Sequence, residues 1–138
     1  MPSIFLFLLL IILVILSGFL SGSETAITAT SKARILYKKK KGSKRAEYVL
    51  QLLDKKDNVI STLLLSNNLV NILASSLATA FFYDIFGVEG IFYATLIMTV
   101  VIVIFAEVLP KTYAINRPNR TALLISPIIY YLNKILFI

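Results

Sequence analysis

Three apolar stretches without a charged side chain limit this chain to a membrane fold. Ile4 to Ser23 runs uncharged up to Glu24, Asn58 to Tyr83 lies between Asp57 and Asp84, and Gly90 to Ala106 ends at Glu107. A hydrocarbon core about 30 Å thick takes roughly 20 helical residues to cross, and a lone helix is the simplest segment that satisfies its own backbone there. With 58% hydrophobic residues in 138 positions, a small soluble core could not hide this surface. The expected fold is all-α, with three transmembrane helices over about residues 4–30, 58–83 and 88–115. A cleaved signal peptide fits poorly, because Met1-Pro2-Ser3 supplies no basic flank. Lys134 to Ile138 stops inside an apolar run without a helix-stop signal, so a longer chain is expected to continue from it.

Charge placement orients the spans. Lys and Arg number 14 against 7 Asp and Glu. Lys32, Arg34, Lys38 to Lys41, Lys44, Arg45, Lys55 and Lys56 lie between the first two spans, whereas the turn from Asp84 to Glu89 carries only acids. The positive-inside rule then puts the amino terminus outside and the basic segment in the cytosol, with Lys111, Arg117 and Arg120. Within the basic segment, Ile35, Leu36, Val49, Leu50, Leu52 and Leu53 alternate with charges and Gly42-Ser43 breaks the run, as in two amphipathic helices on the inner leaflet over about residues 31–56. Residues 120–138 read as another juxtamembrane helix, since Pro127, Asn133 and Lys134 interrupt a fourth span. Lys38 to Lys41 suit anionic lipid headgroups. A solvated face is the alternative. Nucleic acid is not an expected partner, because only Tyr37 and Tyr48 offer stacking rings nearby.

With no Cys and no His, thiolate and imidazole metal sites and nucleophile–His catalytic pairs are excluded, and no enzymatic activity is expected. What remains is oxygen chemistry. Polar side chains inside a span are expensive, so each is a candidate site residue. Ser17, Ser21, Glu24 and Thr28 share one face of the first span, with Gly18 and Gly22 beside them as the place where the helix is expected to bend or unwind. Close helix approach for the glycines and back-bonding to the preceding turn for the serines are the alternatives. Asn67, Asn71 and Ser75 share a face of the second span, with Asn68 turned roughly 100° away. Gluing helices together is the alternative use of such asparagines. In the third span Pro110 lacks an N–H, which frees the carbonyl of Ala106 beside the Glu107 carboxylate, although Glu107 could instead pair with Lys111. Ser21, Asn67 and Glu107 each fall roughly 15 Å inside the cytoplasmic boundary marked by Lys32, Asp57 and Arg117. Hydroxyl, carboxamide, carboxylate and carbonyl oxygens at one level suit Mg²⁺ or another hard cation, with Glu24 as a source of further compensating charge.

These segments resemble the transmembrane domain of the CNNM/CorC family of magnesium transporters. The likeness rests on Leu16-Ser17-Gly18 to Ser21-Gly22-Ser23-Glu24-Thr25-Ala26, on Asn67-Asn68-Leu69-Val70-Asn71, and on Phe105-Ala106-Glu107-Val108-Leu109-Pro110-Lys111-Thr112. It implies a homodimer in a bacterial or archaeal inner membrane, three spans with a belt of juxtamembrane helices, and cytosolic CBS domains that this chain does not contain. It also implies Mg²⁺ export with inward Na⁺ as a candidate driving ion, through a site of Ser21, Asn67, Asn71 and Glu107, to which the reading of the residues adds Ala106, with Ser17, Ser23, Glu24 and Pro110 in support. Ser66 and Ala106 stand where the family usually has glycine, which bears on flexibility rather than on binding. The competing expectation is a membrane anchor or Mg²⁺ sensor that binds the ion without moving it.

Overall fold

The computed structural model describes residues 3–136 and is all-α, with no strand among those residues. Its helices are α1 (Ser3–Ala29), α2 (Lys32–Lys40), α3 (Lys44–Asp54), α4 (Lys56–Phe86), α5 (Glu89–Val101), a π-helical segment (Ile102–Val108), α6 (Leu109–Asn116) and α7 (Pro118–Leu136). Three helical runs are long and apolar enough to cross a membrane: Ile4–Ala29, Lys56–Phe86, and the continuous run from α5 through α6, Glu89–Asn116. Large side chains such as Ile15, Leu65, Leu69 and Ile72 are two-thirds exposed or nearly so. That surface suits lipid or another apolar helix face rather than water, since in a bilayer apolar exposure costs nothing and close packing holds helices together. The far end of the expected 120–138 helix includes residues 137 and 138, which lie outside the described residues.

α1 is the hub. It packs on α4, on the π segment, on α6 and on α7. Gly18 and Gly22 do not unwind it. They let α1 approach the third span instead: a Cβ on Gly18 would stand 3.2 Å from Pro110 Cγ and 3.3 Å from Phe105 O, and one on Gly22 would stand 3.4 Å from Pro110 Cβ. The irregularity expected in span one falls in span three, where Pro110 follows the π segment.

The link between α4 and α5 is shorter than the acidic turn expected from Asp84 to Glu89. α4 continues to Phe86, and Gly87 ends it at φ +74°, a conformation that side chains other than glycine's rarely adopt. Gly90 then passes so close to α4 that a Cβ would lie 2.2 Å from Phe82 O. The break at Gly42 also has positive φ, and Ser31 and Ser43 cap α2 and α3 by accepting from the N–H groups of Arg34 and Ala46.

The juxtamembrane helices are built as one unit. α3 packs on α7 and α2, burying Ile35, Ala46, Val49, Leu50, Ala114 and Ala122 together with Ala26 from the end of α1. Asn119 Oδ1 accepts from Thr30 Oγ1 at 2.7 Å and from the Ser31 N–H at 2.8 Å, tying the α1–α2 link to the start of α7. α7 carries Pro127 inside it and is not interrupted by Asn133. Asn133 is 9% exposed, and Thr62 Oγ1 lies 3.1 Å from its Oδ1 and 2.9 Å from Asn58 O, so α7 is pinned to α4.

Candidate metal centre

Ser17, Ser21, Asn67 and Asn71 come together between α1 and α4. Four residues is one helical turn plus a small lag, so Ser17 and Ser21 stack on one face of α1 and Asn67 and Asn71 on one face of α4. Ser17 Oγ lies 2.7 Å from Asn67 Oδ1 and also contacts Asn71 Oδ1, while Asn67 Nδ2 donates to Ser21 Oγ at 3.1 Å. Ser17 and Ser21 are buried and Asn67 is 8% exposed. Asn68 is exposed and takes no part. A serine hydroxyl carries one proton, so of its two close carboxamide oxygens only one receives it at a time. Three oxygens thus lie in direct contact with one hydroxyl proton among them.

The π segment packs on α1 beside the cluster, at a position roughly 100° round the helix from Ser17. Its backbone sits at the level of Gly18, next to Ser17 in sequence. The winding bears on which carbonyls are freed. The Leu109 N–H donates to Ile104 O, five residues back. In the same register Pro110, without an N–H, stands opposite Phe105 O, so this carbonyl loses its helix partner too, one residue before the Ala106 carbonyl expected from α-helical spacing. Phe105 O is also the atom that Gly18 approaches. Ala106 itself is fully buried at that contact.

Glu107 is half-buried on the π segment. Among the described residues it forms no ion pair within 4.0 Å, with Lys111 or with any other base. No group of three or more Asp or Glu side chains gathers among the described residues. Ser23 Oγ donates to Phe19 O at 2.7 Å, which commits it to its own helix. Glu24 is half-buried, Thr28 is exposed, and neither hydrogen-bonds to the cluster. The stripe read along span one therefore meets α4's asparagines only at Ser17 and Ser21.

Sequence reasoning ranked Ser17 below Ser21, although Ser17 touches both asparagines. Its i−4 spacing from Ser21 was the available signal. Phe105 gave no signal as a side chain, because its contribution is a backbone atom set by the winding.

Comparison with known proteins agrees with the resemblance. Residues 8–138 match the family described as the Cyclin M transmembrane N-terminal domain, CNNM. The chain is 38% identical over 132 residues to a UPF0053 protein of Haemophilus influenzae, covering 96% of this chain and 31% of that protein. It is 40% identical over 131 residues to the UPF0053 inner membrane protein YfjD of Escherichia coli, covering 87% of this chain and 31% of that protein. A chloroplastic DUF21 domain-containing protein of Arabidopsis thaliana is 30% identical over 130 residues, 94% of this chain and 20% of that protein. The chain spans about a third or less of the length of these relatives. A match over nearly its whole length, together with three membrane-spanning helices, makes this chain a member of the CNNM transmembrane-domain family.

Proposed function

We propose that the protein carries Mg²⁺ outward across the inner membrane by alternating access, with Na⁺ moving inward as the driving ion. The observation that carries this reading is the convergence of Ser17, Asn67 and Asn71 oxygens between two membrane-spanning helices. A dehydrated Mg²⁺ takes near-octahedral oxygens, and Ser21, Glu107 and a carbonyl of Phe105 or Ala106 supply the remaining ligand types within the same layer. Glu107 is the one carboxylate on this layer, and it offsets part of the charge that the membrane interior disfavours.

The π segment supplies the moving part. Its hydrogen bonds span five residues instead of four, which inserts one extra residue into the helix, and migration of that residue turns the side chains it passes by roughly 100°. Glu107 lies within it and would swing toward or away from the asparagines. The amino terminus faces outward in this reading, the basic helices α2 and α3 lie on the inner leaflet with Lys38 to Lys41 against anionic lipid, and the working unit is a homodimer. The experiment is Mg²⁺ efflux from proteoliposomes with and without an inward Na⁺ gradient. Efflux that depends on the protein supports transport, and acceleration by the gradient supports coupling. Saturable Mg²⁺ binding with no flux would assign the chain to the sensor or anchor class.

A further inference from the structure

At the junction of α3, α4 and α7 the juxtamembrane unit leaves a cleft of about 630 Å³, lined among others by Gln51, Asp54, Lys55, Asn58, Asn133 and Lys134. It is separate from the cluster of Ser17 and Asn67 and from the Lys38 to Lys41 run. Three independent features make its chemistry specific. α4, 31 residues long, begins there with no side-chain cap and with Asp57 as the one acid of its first turn, so the first-turn N–H groups have no helix partner, and Lys55 and Asn58 at this end line the cleft. Lys55, in the link between α3 and α4, and Lys134, on α7, border the same space, with Asp54 the one acid that lines it. Asn133, 9% exposed, has its Oδ1 3.1 Å from Thr62 Oγ1 and no further hydrogen bond among the described residues, so the rest of its hydrogen-bonding capacity is open to the cleft it lines.

Uncapped helix N–H groups, two ammonium groups and the Asn133 amide form an acceptor-hungry set. A carboxylate or phosphate oxygen meets it, and a cation does not. Depth narrows the choice. α4 enters its apolar stretch at Val59, so the cleft lies at the boundary where lipid phosphates lie, on the face that the positive-inside rule places in the cytosol. We propose that this cleft is a binding site for a phosphate group, either the phosphodiester of an anionic lipid headgroup or a free phosphate ion. Asp54 gives it polarity: the phosphate sits toward Lys55, Lys134 and Asn133, and a hydroxyl on the headgroup would donate to Asp54. This site differs from a diffuse basic belt because it saturates at one phosphate per chain. It does not depend on the Mg²⁺ reading, and loss of one leaves the other standing.

The test uses the purified protein in zwitterionic detergent with two probes. Phosphatidylglycerol is titrated and retained lipid counted by native mass spectrometry, and inorganic phosphate is titrated by calorimetry. The wild type is expected to hold one phosphatidylglycerol saturably. The pair Lys55→Gln and Lys134→Gln, both at exposed positions, should weaken it tenfold or more, while neutralising Lys39 and Lys40 should change it less than twofold. Asn133→Asp keeps an oxygen facing Thr62 but replaces the donor by a negative charge, and it should weaken binding as much, in protein whose melting curve shows it folded. If inorganic phosphate binds with the same sensitivity to these variants, the ligand is a free phosphate. If phosphatidylglycerol alone does so, the ligand is the lipid. Absence of saturable binding with both probes overturns the proposal. So does an equal loss in the Lys39 and Lys40 variant, which would mean attraction to the whole basic surface.

Discussion

Ser17 Oγ lies 2.7 Å from Asn67 Oδ1 across 50 residues of sequence and shares its one proton between that oxygen and Asn71 Oδ1. The pair couples α1 to α4 at the point where a polar contact inside the membrane has the fewest alternatives. If the cluster only glued helices, its residues would matter for stability alone. As a cation site, it predicts an order of effects on Mg²⁺ affinity. Ser17→Ala, Asn67→Ala and Asn71→Ala should each lower affinity tenfold or more, consistent with about 1–3 kcal/mol for a lost buried polar partner, and Asn68→Ala should change it little. Calorimetry on the four folded variants checks this, and equal losses at Asn67 and Asn68 would favour glue.

Glu107 stands on the π segment without a basic partner within 4.0 Å among the described residues. Glu107→Gln keeps the shape and removes the charge. Mg²⁺ affinity should collapse while the melting temperature without Mg²⁺ shifts by only a few degrees. Unchanged affinity in the folded variant would remove Glu107 from the ligand set.

The glycines rank by the space around them. Gly90→Ala puts a methyl 2.2 Å from Phe82 O, so the α4–α5 hairpin must shift, at a cost on the order of 1–3 kcal/mol. Gly22→Ala meets its nearest atom, Pro110 Cβ, at 3.4 Å and should be nearly neutral. Gly18→Ala falls between, at 3.2 Å from Pro110 Cγ, and by pressing on the π segment it should lower Mg²⁺ affinity more than stability. Thermal melts paired with Mg²⁺ titrations decide the order.

Selectivity follows from the ligand types. Mg²⁺ takes six oxygens at about 2.0–2.1 Å, whereas Ca²⁺ prefers 2.3–2.6 Å and more of them, with acids that bind through both oxygens. Mg²⁺ should therefore raise the melting temperature at concentrations where Ca²⁺ does little, and Mn²⁺ should substitute in part. Stronger protection by Ca²⁺ would count against a compact site of Ser17, Asn67, Asn71 and Glu107.

The sequence by itself determined the number of membrane-spanning helices, because a run such as Asn58 to Tyr83 has no other stable form in lipid. It also separated Asn67 from Asn68, since 100° per residue is a local property of the helix and decides which of two neighbours faces inward. The break at Gly42 followed from local backbone preference as well. Other features were decided by contacts between residues far apart in the chain. Ser17 takes its place because α4 presents two asparagines to it, 50 and 54 residues later. Asn133 reads as an interruption in an apolar run until Thr62, 71 residues away, gives it a partner. Phe105 O stands opposite Pro110 because span three is wound as a π-helix against Gly18, and the choice between two helical registers at Pro110 depends on what packs there. Periodicity fixes which way a side chain points from its own helix; only tertiary packing fixes what it meets.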